Sequence, residues 1–235
     1  MKKENLVIGV LGGMGTYATI NLFKQYANVF SAEKEWERPR IIIDNRCTMP
    51  SRVRAFLYGE DVDKLIDEMS DSMKCLVKSG CNRIILACNT SHLFLPQIYN
   101  NVSELESKVL NIINNCVEQT KKDNIREIFL LGSEGTIDSE IYQKALKKIG
   151  VNCILPHKEE YEKLRLCIEA VKQNKYSKKV KDTFLNLINR YDSCILGCTE
   201  LPVLYDMYMD AIKCKRIYDP VLLGLLKLRD EYRND

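Results

Sequence analysis

The chain predicts an α/β protein of two pseudosymmetric lobes, each a mostly parallel sheet flanked by helices, with a site in the cleft between them. Three observations carry this expectation. Aliphatic runs of strand length alternate with helical spacing along the chain. Strands separated by helices pair in parallel and need cover on both faces. One stretch also occurs twice, RIILACNT at 83–90 and SCILGCTE at 193–200, each an aliphatic run ending in a small residue, a cysteine and a polar residue able to cap a helix.

Taken in order, residues 6–11 form a continuous aliphatic run entering the glycine turn Gly12, Gly13, Gly15, and 16–30 carry helical spacing. Residues 40–44 read as a second strand ending in a polar loop, 45–52, before a helix at 61–79 that Gly80 closes. Residues 83–87 form a third strand presenting Cys88, and 107–113 read as a fourth. The pattern then restarts: a strand at 127–131, a glycine-containing turn, a helix at 139–149, a strand at 151–155 and a long helical stretch at 159–190. Residues 194–197 present Cys198, 215–218 match 108–113 in position, and 220–232 form a closing helix. The expected division is residues 1–113, with the C-terminal helix 219–235 packing back on them, and residues 114–218.

Composition narrows the function. With 235 residues and a net charge of +3, the chain can bury a real core but offers no polyanion-binding field. No Lys/Arg block is interleaved with aromatics, so nucleic acid is not an expected partner. No run approaches the roughly 18 apolar residues of a membrane span, so no membrane partner is expected. The opening MKKE and the short, glycine-broken run after it read as the approach to a first strand, not a leader. Ten cysteines scattered through strand-like stretches suit a reduced, cytoplasmic setting better than a disulfide framework. Neither Cys-x-x-Cys nor a Cys/His cluster with metal spacing occurs, so no metal is expected.

In such sheets ligands bind beyond the carboxyl ends of the strands. Both cysteines fall there, at strand-to-helix junctions where a helix dipole lowers a thiol pKa. On opposite sides of one cleft, two thiols suit moving a proton from one face of a carbon to the other. Gly13-x-Gly15-x-x-Ala18 has dinucleotide-fingerprint spacing, with Asp44 a late candidate for the ribose; equally, it is a tight turn letting backbone approach a ligand. Arg52 is either a solvated charge or a bidentate fork for a carboxylate. Lys172 lies on a lysine-rich, largely wet helix. His92 and Glu200 either satisfy local hydrogen bonds or tune the thiols.

Taken together, Gly12-Gly13-Met14-Gly15, Cys88 through His92, Gly135-Thr136-Ile137 and Gly197 through Glu200 resemble the aspartate/glutamate racemase family, most closely its aspartate racemase branch. The resemblance implies two pseudosymmetric lobes, no cofactor, a homodimer, and a small acidic amino acid racemised by two bases, Cys88 and Cys198. Its implied substrate-binding set is Met14, Ser51, Arg52, Asn89, Thr90, Ser91, Thr136, Lys172 and Thr199, with His92 and Glu200 auxiliary. The branch's Pro-Asp-Arg-Thr pattern becomes Pro50-Ser51-Arg52-Val53, and its Glu-Gly-Val-Lys becomes Glu169-Ala170-Val171-Lys172. The first departure removes a hydroxyl beside Arg52, while Arg54 adds a charge. A maleate-type diacid isomerase, which also uses two cysteines, and a dinucleotide-dependent oxidoreductase are the rival expectations.

Overall fold

The structure is a computed structural model that describes residues 6–233. The readings of residues 1–5, and of 234–235 at the end of the closing helix, lie outside the described residues. Within them, β1 (Val7–Gly12), β2 (Arg40–Asn45) and β3 (Arg83–Leu86) make a parallel sheet in the order β2-β1-β3. β4 (Glu127–Gly132), β5 (Asn152–Ile154), β6 (Ser193–Gly197) and β7 (Arg216–Tyr218) make a second parallel sheet, ordered β5-β4-β6-β7. Each lobe therefore places its first strand beside its third. The chain is the expected two-sheet α/β fold.

Helix α1 (Thr16–Val29) follows β1; α2 (Arg52–Tyr58) and α3 (Val62–Lys78) follow β2; α4 (Leu95–Asn101) and α5 (Ile112–Lys122) follow β3. In the second half come α6 (Glu134–Asp138), α7 (Ile141–Lys148), α8 (Tyr161–Lys172), α9 (Lys178–Ile188), α10 (Leu201–Tyr208) and α11 (Pro220–Arg233). One apolar cluster runs from Val10 on β1 and Leu22 on α1 into Leu130 and Ile195 of the second sheet. A smaller one fills the space between the first sheet, α3 and α4, around Leu86, Met69 and Ile98. Helix α11 packs on α5 and α1, and its Gly224 lets the backbone lie against Leu110 and Ile112.

Three expectations are corrected. Residues 107–113 are not a strand: Ile84 exchanges hydrogen bonds with Lys108 and Leu110 in a single parallel bridge at Val109. The run then stops because Asn111 caps α5, its side chain accepting from the Asn114 N–H at 3.0 Å. The stretch 159–190 is two helices. Asn174 turns left-handed at φ 54° after α8, and Ser177 opens α9 by accepting from the Val180 N–H. Finally, the loop before α3 contains a helix, α2, which Ser51 starts as N-cap and left-handed Gly59 ends.

Candidate active site

Because β3 ends at Leu86 and β6 at Gly197, Cys88 and Cys198 emerge from equivalent strands at their carboxyl ends. Both line one cavity of about 60 Å³. That is far below the roughly 300–1,000 Å³ of drug-sized ligand pockets, so the cavity suits a small molecule. Met14, Ser51, Arg52, Asn89 and Thr90 contribute walls from the first lobe; Lys172, Thr199 and Glu200 do so from the second.

The two thiols differ in surroundings. Cys198 donates to the Glu200 carboxylate at 2.9 Å, and Glu200 is only 2% exposed. Burial pushes the Cys198 pKa well above the ordinary thiol value, and the neighbouring charges of Glu200 and Cys88 push the same way, against Lys172. This reverses the expectation for Cys198 of a thiol acidified by a helix dipole, because burial, and after it the Glu200 carboxylate two residues away, outweigh partial charges at the start of α10. At Lys172, burial disfavours the charge. Its 2.9 Å hydrogen bond to Glu169 and the negative field of Glu200 and Cys198 outweigh that and raise its pKa.

The polar residues following the cysteines do not cap helices; they reach across to the other lobe. Thr199 donates its hydroxyl to the Ala87 carbonyl at 3.1 Å, leaving it only as an acceptor toward a ligand. Asn89 accepts from the Tyr142 hydroxyl at 2.6 Å through Oδ1. Burial raises the Tyr142 pKa far above its ordinary value, so the phenol stays protonated and donates. The Asn89 amide is thereby oriented, and its Nδ2 is buried without a partner. Arg52 is similar. Its terminal nitrogens donate to the carbonyls of Pro50 at 2.8 Å and Met14 at 2.9 Å, while Nε is buried and unpaired. Two residues walling the thiol cavity thus carry idle N–H donors, in a setting where an unmade hydrogen bond costs roughly 1–3 kcal/mol.

Three expected site residues stand behind the cavity and not on it. Ser91 and His92 both donate to the Cys88 carbonyl, at 2.7 and 2.9 Å, and so fix the backbone that carries the thiol. Burial pushes the His92 pKa down to about 4, which makes it a neutral ring. Thr136 is fully buried and closes a hydroxyl triangle with Thr90 at 3.0 Å and Ser133 at 3.1 Å. Ser133 and Ile168 line the cavity and were missed by sequence reasoning, as was Tyr142. Only Ser133 has a local signal, since it caps α6 by accepting from the Thr136 N–H. Arg54 adds no charge to the cavity, because Glu60 holds it through two hydrogen bonds.

The glycine turn is not open to a dinucleotide. A Cβ at Gly13 would lie 2.3 Å from the Arg46 backbone, and one at Gly15 would lie 2.2 Å from Glu200 Oε1. The close approach these glycines permit is to the chain itself, with a carboxylate where a pyrophosphate would need to sit. Among the described residues no group of three or more His, Cys, Asp and Glu side chains could hold a metal ion, and no helix is long and apolar enough to cross a membrane.

Comparisons with known proteins converge on one family. The family model for Asp/Glu/hydantoin racemases matches residues 11–227. The broad-specificity amino-acid racemase RacX of Bacillus subtilis (strain 168) is 28% identical over 212 residues, covering 85% of this chain and 88% of RacX. The glutamate racemase of Aquifex aeolicus (strain VF5) is 26% identical over 167 residues, covering 68% of this chain and 62% of that enzyme. Among solved structures, the aspartate racemase of Picrophilus torridus superposes with a TM-score of 0.81 at 25% identity, covering 97% of this chain and 98% of that one.

Proposed function

The chain belongs to the Asp/Glu/hydantoin racemase family, and from that premise we propose that it interconverts L- and D-aspartate, with glutamate the nearest alternative substrate, by a cofactor-independent two-base mechanism through Cys88 and Cys198. One observation supports this most: two thiols share a small cavity whose walls also carry two buried, unpaired N–H donors, Asn89 Nδ2 and Arg52 Nε.

In this reading the donors hold the substrate's carboxylates, and Cα lies between the sulfurs. One thiolate breaks the Cα–H bond and keeps the proton, while the other thiol gives its own proton to the opposite face. Electrons left on Cα spread into the α-carboxylate as an enolate-like charge. These donors, once turned to that carboxylate, stabilise the charge, and every 1.36 kcal/mol they add there is about tenfold in rate. Cys198 starts as the acid, because burial and Glu200 hold its proton. When it must act as base, Glu200 at 2.9 Å is positioned to take that proton, and Lys172 favours the resulting thiolate.

The test is deuterium incorporation at Cα of L-aspartate and L-glutamate in heavy water, with chiral analysis and no added cofactor. Cys88→Ser and Cys198→Ser should each lower racemisation at least about 100-fold, the usual scale for a lost general acid or base, while retaining the native circular dichroism spectrum. Full activity in either folded variant would reject the two-base reading. No exchange with either acid, alongside turnover of maleate, would move the assignment to the diacid isomerase.

A further inference from the structure

The small cavity shares part of its wall with a second one. Ser51, Val53, Ser133, Ile168 and Lys172 wall both it and a larger adjoining chamber of about 390 Å³, lying between α2 on one lobe and α6 and α8 on the other. The inner space is sized for a small amino acid; the chamber has the volume of a ligand pocket in its own right.

Its lining indicates what it would accept. Val53 and Ile168 flank the shared wall, and Leu57 and Leu164 continue the apolar surface beyond it. Three cations border the chamber, and each is already matched. Lys172 is bonded to Glu169, Arg165 is paired with Glu134, and Arg54 is held by Glu60. A carboxylate entering here meets cations already neutralised by Glu169, Glu134 and Glu60, and an ammonium meets carboxylates already paired, so neither gains an unmatched countercharge. An uncharged chain displaces only water and gains the free energy of burying its methylenes.

We propose that this chamber is a side-chain subsite for amino acids with long uncharged side chains, so that the enzyme also racemises straight-chain apolar amino acids. The inference rests on the racemase reading and extends it to a second substrate class. The chemistry is the same proton exchange at Cα, one C–H bond broken and one formed; only the side chain's resting place differs.

The test needs the wild-type protein and a homologous series: Cα exchange of L-2-aminobutyrate, L-norvaline and L-norleucine, with L-aspartate and L-lysine measured alongside. Each methylene that enters the chamber and packs on Val53, Leu57, Leu164 and Ile168 should raise kcat/KM about fourfold. Leu57→Trp, which fills the chamber from a half-buried position on α2, should lower the norleucine-to-aspartate ratio of kcat/KM at least about tenfold. A series that is flat or falls with length while aspartate exchanges overturns the subsite and leaves the racemase reading standing. Preference for lysine over norleucine overturns the uncharged class. Absence of exchange with every amino acid removes both readings.

Discussion

At the residue scale, the two thiols occupy matching places yet have different neighbours. The difference lies two positions downstream, where Thr90 stands in one lobe and Glu200 in the other. Only Glu200 puts a carboxylate against the sulfur beside it. The orientation of Asn89 is as important. Its amide is turned by a phenol from α7, which decides that the nitrogen and not the oxygen is left idle. Tyr142→Phe removes that donor and leaves Asn89 Oδ1 buried and unpaired, or lets the amide flip. Stability should fall by about 1–3 kcal/mol in urea unfolding. Racemisation kcat/KM should fall at least about tenfold in the still-folded variant, with most of the loss in kcat if the amide serves the developing charge. Wild-type kinetics in a destabilised Tyr142→Phe protein would make the tyrosine purely structural.

At the scale of elements, the loops at strand ends are shaped by close packing of backbone on backbone. Gly13 combines a left-handed φ of 78° with a Cβ position 2.3 Å from Arg46. Gly59, which ends α2, has nearly the same φ of 70° but nothing within 4 Å. Alanine at position 59 therefore meets only the left-handed penalty of roughly 1–2 kcal/mol. Alanine at 13 must also push the 45–52 loop away from β1, and that loop leads into Arg52. The Gly13→Ala protein should show the lower urea midpoint of the two at similar m-value. Equal midpoints would mean that the loop yields freely.

For the whole molecule, the lobes are joined by polar contacts as well as apolar ones: Thr199 to Ala87, Asn89 to Tyr142, and Thr90 to Ser133 and Thr136; where α11 packs back on α1, Gln25 donates to Asp219 at 2.6 Å. Asp219 also accepts from the N–H groups that open α11, yet burial dominates and lifts its pKa to about 6. A carboxyl with a raised folded-state pKa contributes stability below its unfolded value near 3.8 and loses it as pH climbs through 6. That difference amounts to about 3 kcal/mol. His92 runs the opposite way. Its depressed pKa costs stability as pH falls from about 6.5 to 4, so the total curve hides both. Subtraction separates them. Relative to wild type, Asp219→Asn should gain about 2–3 kcal/mol between pH 4 and pH 7 in urea unfolding, and a pH-independent difference would show that the carboxyl is not strained by burial.

Much of the outline was legible because it is local. Aliphatic runs report buried parallel strands wherever they occur, and the repeated cysteine motif marks equivalent strand ends without reference to anything distant. The short helices α2, α4, α6 and α10 were not legible, since too few turns show a period, and α5 was hidden because the apolar run at 107–113 matches a strand until Asn111 caps that helix. Sequence by itself determined the two-lobe α/β class, the thiol pair, and most of the residues around it. Tertiary structure alone decided which donors are idle, what raises the Cys198 pKa, and which residues stand behind the wall. The reason is physical: a hydrogen bond or a pKa depends on what lies within a few ångströms, and here those neighbours, Tyr142 beside Asn89 and Lys172 near Cys198, come from other elements of the fold.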